Sequence, residues 1–230
     1  VRVSKKLKAH FSQYPMDIST PEKSLDLIRF RVNNNRQKKD TKILYQKSSP
    51  STVLIGTTNG LGSGVCVDHG LIITQLDLIH GDGEIYITPY THLKGKTRAM
   101  KNIKAKVIFT SKTDGIALLE LLEGKNLITP IAIEKASLIT GEKVFAIGNP
   151  GNIDKLYAQS ISQGILSATN RKINSIRYLQ HTAGVSDGHK GGALINERGA
   201  LIGILVKRVG LENVAFALPI NYLVKKYGKP

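Results

Sequence analysis

From Val53 onward the chain alternates short apolar runs with turn residues. The first runs are Val53–Thr57, Gly64–Val67, Gly70–Thr74, Glu84–Ile87, Ile103–Thr110 and Ile116–Leu121. After a break over Glu123–Gly141 come Lys143–Ile147, Gln159–Ala168, Ile176–His181, Ala193–Asn196, Ala200–Lys207 and Asn213–Leu218. Val, Ile and Leu dominate these runs, and Gly, Pro, Asn and Asp bound them, which is the signature of short strands joined by turns. Two groups of six strands predict two packed barrels rather than one sandwich. The boundaries are about 50–122 for the first barrel and 142–218 for the second. Ile220, Leu223 and Val224 share one face of a helix predicted over 219–227.

Residues 1–49 have a different texture and read as a basic N-terminal extension. Pro21–Phe30 predicts a short amphipathic helix, with Thr20 as its cap, Pro21 at its first position and Leu25, Leu27, Ile28 and Phe30 as apolar anchors. The polar stretch Asn33–Asp40 reads as a mobile linker or surface loop.

Composition sharpens this picture. The chain has 230 residues, 41% of them hydrophobic, enough for a sizeable core. No apolar run reaches the ~18 residues needed for a membrane-spanning helix. Cys66 is the only cysteine, so no disulfide forms within the chain, and its apolar strand context makes it a buried hydrophobe rather than a nucleophile. The net charge of +16 favours acidic partners. Aromatics are only 6% and do not interleave with the basic residues, which argues against a base-stacking surface and hence against nucleic acid. Thr91–Lys106 holds Lys94, Lys96, Arg98, Lys101, Lys104 and Lys106 with no acidic residue. It is either a solvated hairpin or a docking patch for an anionic partner.

Five blocks carry a resemblance. They are Gly62–Asp68 with Gly70–Thr74, Ala146–Gly151 (AIGNPG), Ser160–Ala168 (SISQGILSA), Gly188–Leu194 (GHKGGAL) and Phe216–Pro219 (FALP). In this order they resemble the trypsin-like serine proteases of the HtrA/Deg type across residues 50–227. The resemblance implies an all-β fold of two six-stranded β-barrels of the trypsin/chymotrypsin type with a C-terminal helix. It also implies a site between the barrels and an extracytoplasmic or periplasmic setting, with membrane association through regions outside this chain.

Such a protease needs a serine to attack, an imidazole to take its proton and a carboxylate to orient the imidazole. The family's histidine position is filled here by Asp77, its aspartate position by Gly115 and its serine position by Lys190. A carboxylate is a poor base for a hydroxyl, and no hydroxyl is present to activate. The resemblance therefore implies a pseudoprotease, not an enzyme, acting as a protein- or peptide-binding domain. His80 and Asp114 are the nearest substitutes, each out of register; using them would give an active hydrolase with a rearranged site. Asp77 and Lys190 are expected to form an ion pair across the cleft.

Other family positions map as follows. The N–H groups of Gly188 and Lys190 form an oxyanion-hole-like nest. Val206, Lys207 and Arg208 lie on the strand that pairs with a peptide backbone, and Gly184 sits at the base of the specificity pocket. The chain is also similar to degenerate HtrA-like domains of the magnetosome MamO type. That similarity implies a metal- or mineral-binding alternative, with His181 and His189 as the candidate ligands. No cofactor is expected, the expected partner is an acidic protein or peptide, and the oligomeric state stays open.

Overall fold

A computed structural model describes residues 28–58, 60–79, 83–93, 95–151, 155–206 and 213–228. The first barrel closes from six antiparallel strands in the order β1-β2-β3-β8-β7-β4. Its strands are β1 (Thr52–Thr57), β2 (Gly60–Asp68), β3 (Leu71–Gln75), β4 (Ile85–Thr88), β7 (Ile103–Ser111) and β8 (Ile116–Leu121). The second closes in the order β10-β11-β14-β13-β12-β9. It is built from β9 (Lys143–Gly148), β10 (Ser160–Ile173), β11 (Ile176–His181), β12 (Ala193–Asn196), β13 (Leu201–Leu205) and β14 (Ala215–Pro219). All twelve barrel strands fall on the apolar runs predicted from the sequence. The expected C-terminal helix is α2 (Ile220–Tyr227), preceded by Pro219.

Alternation along the strands divides the apolar residues among three cores. One fills the first barrel with Ile55, Ile72, Ile87, Leu119 and Leu121. Another fills the second with Val144, Leu166, Leu194 and Leu205. The third lies between the barrels, where Val65, Ile73, Phe109 and Leu118 meet Phe145, Ile147, Ile195 and Leu218, with Ile220 and Leu223 of α2. That shared core fixes the two barrels against each other, so the cleft above it has rigid walls.

Three elements differ from expectation. The described end of the predicted helix over 21–30 is not helical: Ile28 bridges Gly228 as a strand residue, and residues 1–27 lie outside the described part. Residues 33–40 are docked rather than loose, with Asn33 N–H donating to the Ile133 carbonyl (3.0 Å) and Lys39 N–H to that of Glu197 (3.0 Å). A helix absent from the sequence reading follows, α1 (Thr41–Ser48), capped by the Asp40 carboxylate accepting from Lys42 N–H. It seats Leu44, fully buried, against the second barrel at Gly199. Third, the basic hairpin is an ordered two-stranded ribbon of β5 (Tyr90–Leu93) and β6 (Lys96–Ala99), outside both barrels, where no strands were expected.

Candidate functional site

The loop carrying Lys190 is held on both sides by backbone hydrogen bonds. A 3₁₀ turn over Asp187–His189 leads into it. Ser63 N–H of β2 donates to the Lys190 carbonyl (2.9 Å), and Gly191 N–H donates to Leu205 of β13 (2.9 Å). Ser63 Oγ donates to the Gly188 carbonyl (2.8 Å) and accepts from Asn149 N–H (2.9 Å). Backbone comes so close here that side chains do not fit. A Cβ on Gly188 would stand 2.2 Å from the Asn149 carbonyl. Gly191 has φ +77°, and a Cβ on it would stand 2.2 Å from the Ser63 carbonyl.

Asp77 comes from the first barrel, in the 3₁₀ turn Leu76–Leu78 that follows β3. Its carboxylate meets Lys190 across the cleft, Oδ2 to Nζ 2.9 Å, with the side chains 15% and 20% exposed. The other oxygen, Oδ1, is buried and accepts no hydrogen bond from any described residue. Among the described residues Asp77 therefore depends on one partner.

Gly115 lies beside this turn, its carbonyl accepting from Leu76 N–H (2.8 Å). It has φ +67°, and a Cβ there would meet nothing within 4 Å. The position offers neither a carboxylate nor a backbone that favours one, since a side chain in the left-handed region costs roughly 1 kcal/mol or more.

Asp114 turns the opposite way. It is buried and accepts from Tyr222 Oη (2.8 Å), Lys226 Nζ (2.9 Å), Tyr227 Oη and Ser111 Oγ (3.2 Å). Burial alone would raise its pKa, but the hydrogen bonds from Tyr227, Lys226 and Tyr222 outweigh this and hold it below the usual carboxylate value. It anchors α2 to the first barrel, and its described partners are Ser111 and residues of α2. His80 lies outside the described residues.

The nest expected from the Gly188 and Lys190 N–H groups is not open. Lys190 N–H donates to the Asp187 carbonyl at 3.2 Å, so an acceptor of the chain itself occupies one of the two donors. Val206 is buried and its N–H donates to Phe216 (3.0 Å), while Lys207 and Arg208 lie outside the described residues. Gly184 is exposed, and a Cβ there would meet nothing within 4 Å.

His181 is fully buried on β11, and burial pushes its pKa down to about 4. The backbones of Phe216 and Ala183 offset burial only in part, and neither ring nitrogen makes a well-formed hydrogen bond. His189 is pushed to about 4 by burial as well, and its Nδ1 accepts from Ser186 N–H (3.1 Å). Among the described residues no group of three His, Cys, Asp or Glu side chains is placed to hold a metal ion. Cys66 is buried, which pushes its thiol up to about 12, so it is no nucleophile at neutral pH.

Two networks escaped the sequence reading. Asn149 joins the barrels, its amide donating to the Val53 carbonyl (2.9 Å) and its Oδ1 accepting from Gln159 N–H (3.0 Å). Glu134, on the inter-barrel segment, accepts from Arg198 (2.6 Å) and Asn196 (2.9 Å). Asn149 lies within the AIGNPG block, which was the signal for it. Nothing local marks Glu134.

Paired antiparallel six-stranded barrels, a C-terminal helix and a glycine-framed loop in the groove define a protein of the trypsin-like double-barrel class. The chain belongs to the trypsin-like peptidase domain family, whose model matches residues 62–204. It is an HtrA/Deg homologue. It is 34% identical over 166 residues to the Serine protease Do-like HtrB of Bacillus subtilis, covering 67% of this chain and 34% of that protein. Against Protease Do-like 1, chloroplastic, of Arabidopsis thaliana, it is 29% identical over 220 residues, covering 89% of this chain and 48% of the other. The crystal structure of Deg5 superposes with a TM-score of 0.66 at 27% identity, covering 80% of this chain and 90% of that one. The chain thus spans about a third to a half of the length of these curated relatives.

Proposed function

We propose that the chain is a catalytically inactive HtrA-like homologue that works by binding a protein or peptide, an acidic one given its charge of +16. One observation carries this reading: Lys190 and Asp77, which the sequence resemblance aligns with the family's serine and histidine, are joined as an ion pair across the cleft. An ammonium that is already engaged by a carboxylate is neither a nucleophile nor a general base. Two further features support it. Gly115 supplies no carboxylate to orient a base, and the Asp187 carbonyl takes the Lys190 N–H that would stabilise an oxyanion.

Loss of one triad member typically lowers turnover by on the order of 10⁴–10⁶, and such losses do not add. Three replaced positions leave no partial machinery to rescue. Exposure of the purified chain to a fluorophosphonate probe and to casein tests the reading. It predicts no labelled residue and intact casein; labelling of any serine, with casein fragments that disappear when that serine is replaced, defeats it. An extracytoplasmic setting follows the same line of thought: a 32% identical relative in Haemophilus influenzae is called a probable periplasmic serine protease. Fractionation of the native host tests this, and recovery of the protein in the cytosol alone would contradict it. No helix among the described residues is long and apolar enough to cross a membrane.

A further inference from the structure

The β5–β6 ribbon belongs to neither barrel, and its two faces differ in kind. Residues 90, 92, 97 and 99 point one way, and 91, 93, 96 and 98 the other. The first face is fastened down. Tyr90 is buried, His92 Nε2 meets Ser49 Oγ at 2.6 Å, and His92 Nδ1 meets Thr97 Oγ1 at 3.0 Å. The Tyr45 ring of α1 packs on His92 at 4.9 Å between centroids, and Tyr45 Oη donates to the Gln159 carbonyl (2.8 Å). The ribbon is thus a fixed platform rather than a swinging loop.

The second face carries Lys96 and Arg98, followed by Lys101, all exposed. Lys104 and Lys106 nearby are satisfied by Glu84 and Glu120. Lys96, Arg98 and Lys101 have no carboxylate within salt-bridge distance among the described residues, and no acidic residue occurs in the sequence from Ile85 to Thr113.

The outer edge of β6 pairs with no other described strand. Met100 N–H donates to the Pro89 carbonyl (2.8 Å), and the register pairs Thr91 with Arg98 and Leu93 with Lys96. Hydrogen-bonded pairs alternate along an antiparallel ladder, so the N–H and C=O groups of Thr97 and Ala99 point away from β5. Every residue of β6 is exposed. Lysine on an edge commonly serves to blunt it against self-association. That role keeps other cationic strands away and leaves an acidic strand welcome.

We propose that β6 is a docking edge for an extended acidic peptide segment, which adds as a third strand. Backbone pairing with Thr97 and Ala99 would hold it, and Lys96 and Arg98 would read acidic side chains at alternate positions. The proposal rests on the binding role given above, and places the contact on the ribbon, outside the inter-barrel cleft.

Fluorescence anisotropy of the whole chain tests it with an eight-residue labelled probe of four Glu-Thr repeats. A Glu-Pro repeat of equal length and charge serves as the comparison, because its prolines remove half the backbone donors. The Glu-Thr probe should bind and the Glu-Pro probe should bind at least tenfold more weakly. Joint Lys96→Glu and Arg98→Glu replacement should weaken the Glu-Thr probe at least tenfold. Ala99→Pro should as well, because it removes an outward N–H that the ribbon does not use. Lys172→Glu, a charge reversal at an exposed position of the β10–β11 hairpin, should leave binding unchanged, which separates this edge from the general positive charge of the chain. Should Ala99→Pro disturb folding, the charge-reversed pair on exposed positions and the two-probe comparison still decide. Equal affinity for the two probes, no binding of either, or capture of phosphatidylserine vesicles without capture of the peptide would each overturn the proposal. Casein cleavage would overturn the inactive reading and leave this one standing.

Discussion

Replacing Lys190 with Met keeps the apolar stem and deletes the charge, which strands Asp77. Its Oδ2 loses a partner at 2.9 Å, and its Oδ1 has none among the described residues to begin with. Removing one member of a fully buried pair costs about 3–5 kcal/mol. With side chains 15% and 20% exposed, water reaches part of the site, and the cost falls to about 2–3 kcal/mol. The reverse change, Asp77→Leu, should cost less, about 1–2 kcal/mol, because a lysine stem can swing its ammonium out to solvent. The double variant leaves no unpaired charge. It should be about as stable as the parent to within ~1 kcal/mol, giving a coupling of about 2 kcal/mol or more. Equilibrium urea unfolding of the four proteins measures this, with the denaturant slope unchanged across the set. Strictly additive costs, with a coupling under ~0.5 kcal/mol, would refute the inference that these two side chains staple the barrels.

Asp114→Asn should lower stability by about 3 kcal/mol by uncoupling the Tyr222, Lys226 and Tyr227 cluster, and should speed amide exchange over Ile220–Tyr227; unchanged exchange there would speak against the anchor. Because its folded pKa is depressed, the stability it contributes is present above the unfolded value of about 4 and is lost as pH falls through the folded value. His181 acts in a higher window. Its folded pKa of about 4 lies below the ordinary value of about 6.5, so the unfolded chain binds the proton first, and stability declines as pH drops from about 6.5 toward 4. The difference amounts to roughly 3 kcal/mol, and because His189 acts in the same window, His181→Leu should make that limb of a stability–pH profile about half as steep; an unaltered limb would locate the effect elsewhere. Gly191→Ala should cost on the order of 3 kcal/mol or more, since it meets both a positive φ and the Ser63 carbonyl; a melting temperature within about 2 °C of the parent would show that the loop can relax.

The barrels were legible because strands such as β3, β8, β9, β12 and β13 are buried on both faces, which leaves Val, Ile and Leu runs that turn residues separate cleanly. The Asp77–Lys190 contact was legible because Gly188, Gly191 and Gly192 frame Lys190 in the sequence. What stayed hidden depends on contacts distant in sequence or on backbone orientation. Helix α1 buries only Leu44 and Ser48, too little to imprint a helical period on TKILYQKS. Ile28 and Phe30 looked like anchors of a helix, yet the segment is extended where described, because Ile28 pairs with Gly228 at the far end of the chain. Strands β5 and β6 are short and largely polar, so Tyr90–Leu93 and Lys96–Ala99 read as loop. Asp114 finds its partners more than one hundred residues away, on α2. The occupation of the Lys190 N–H is set by how the Asp187 peptide turns, which no residue type encodes.

Native mass spectrometry of the chain mixed with a long unstructured acidic polypeptide, followed over hours at neutral pH, bears most directly on whether the protein binds or cuts. The account predicts a complex that retains the polypeptide at its full mass. Truncated products accumulating at a steady rate, and ceasing when a single side chain of the cleft is replaced, would contradict it.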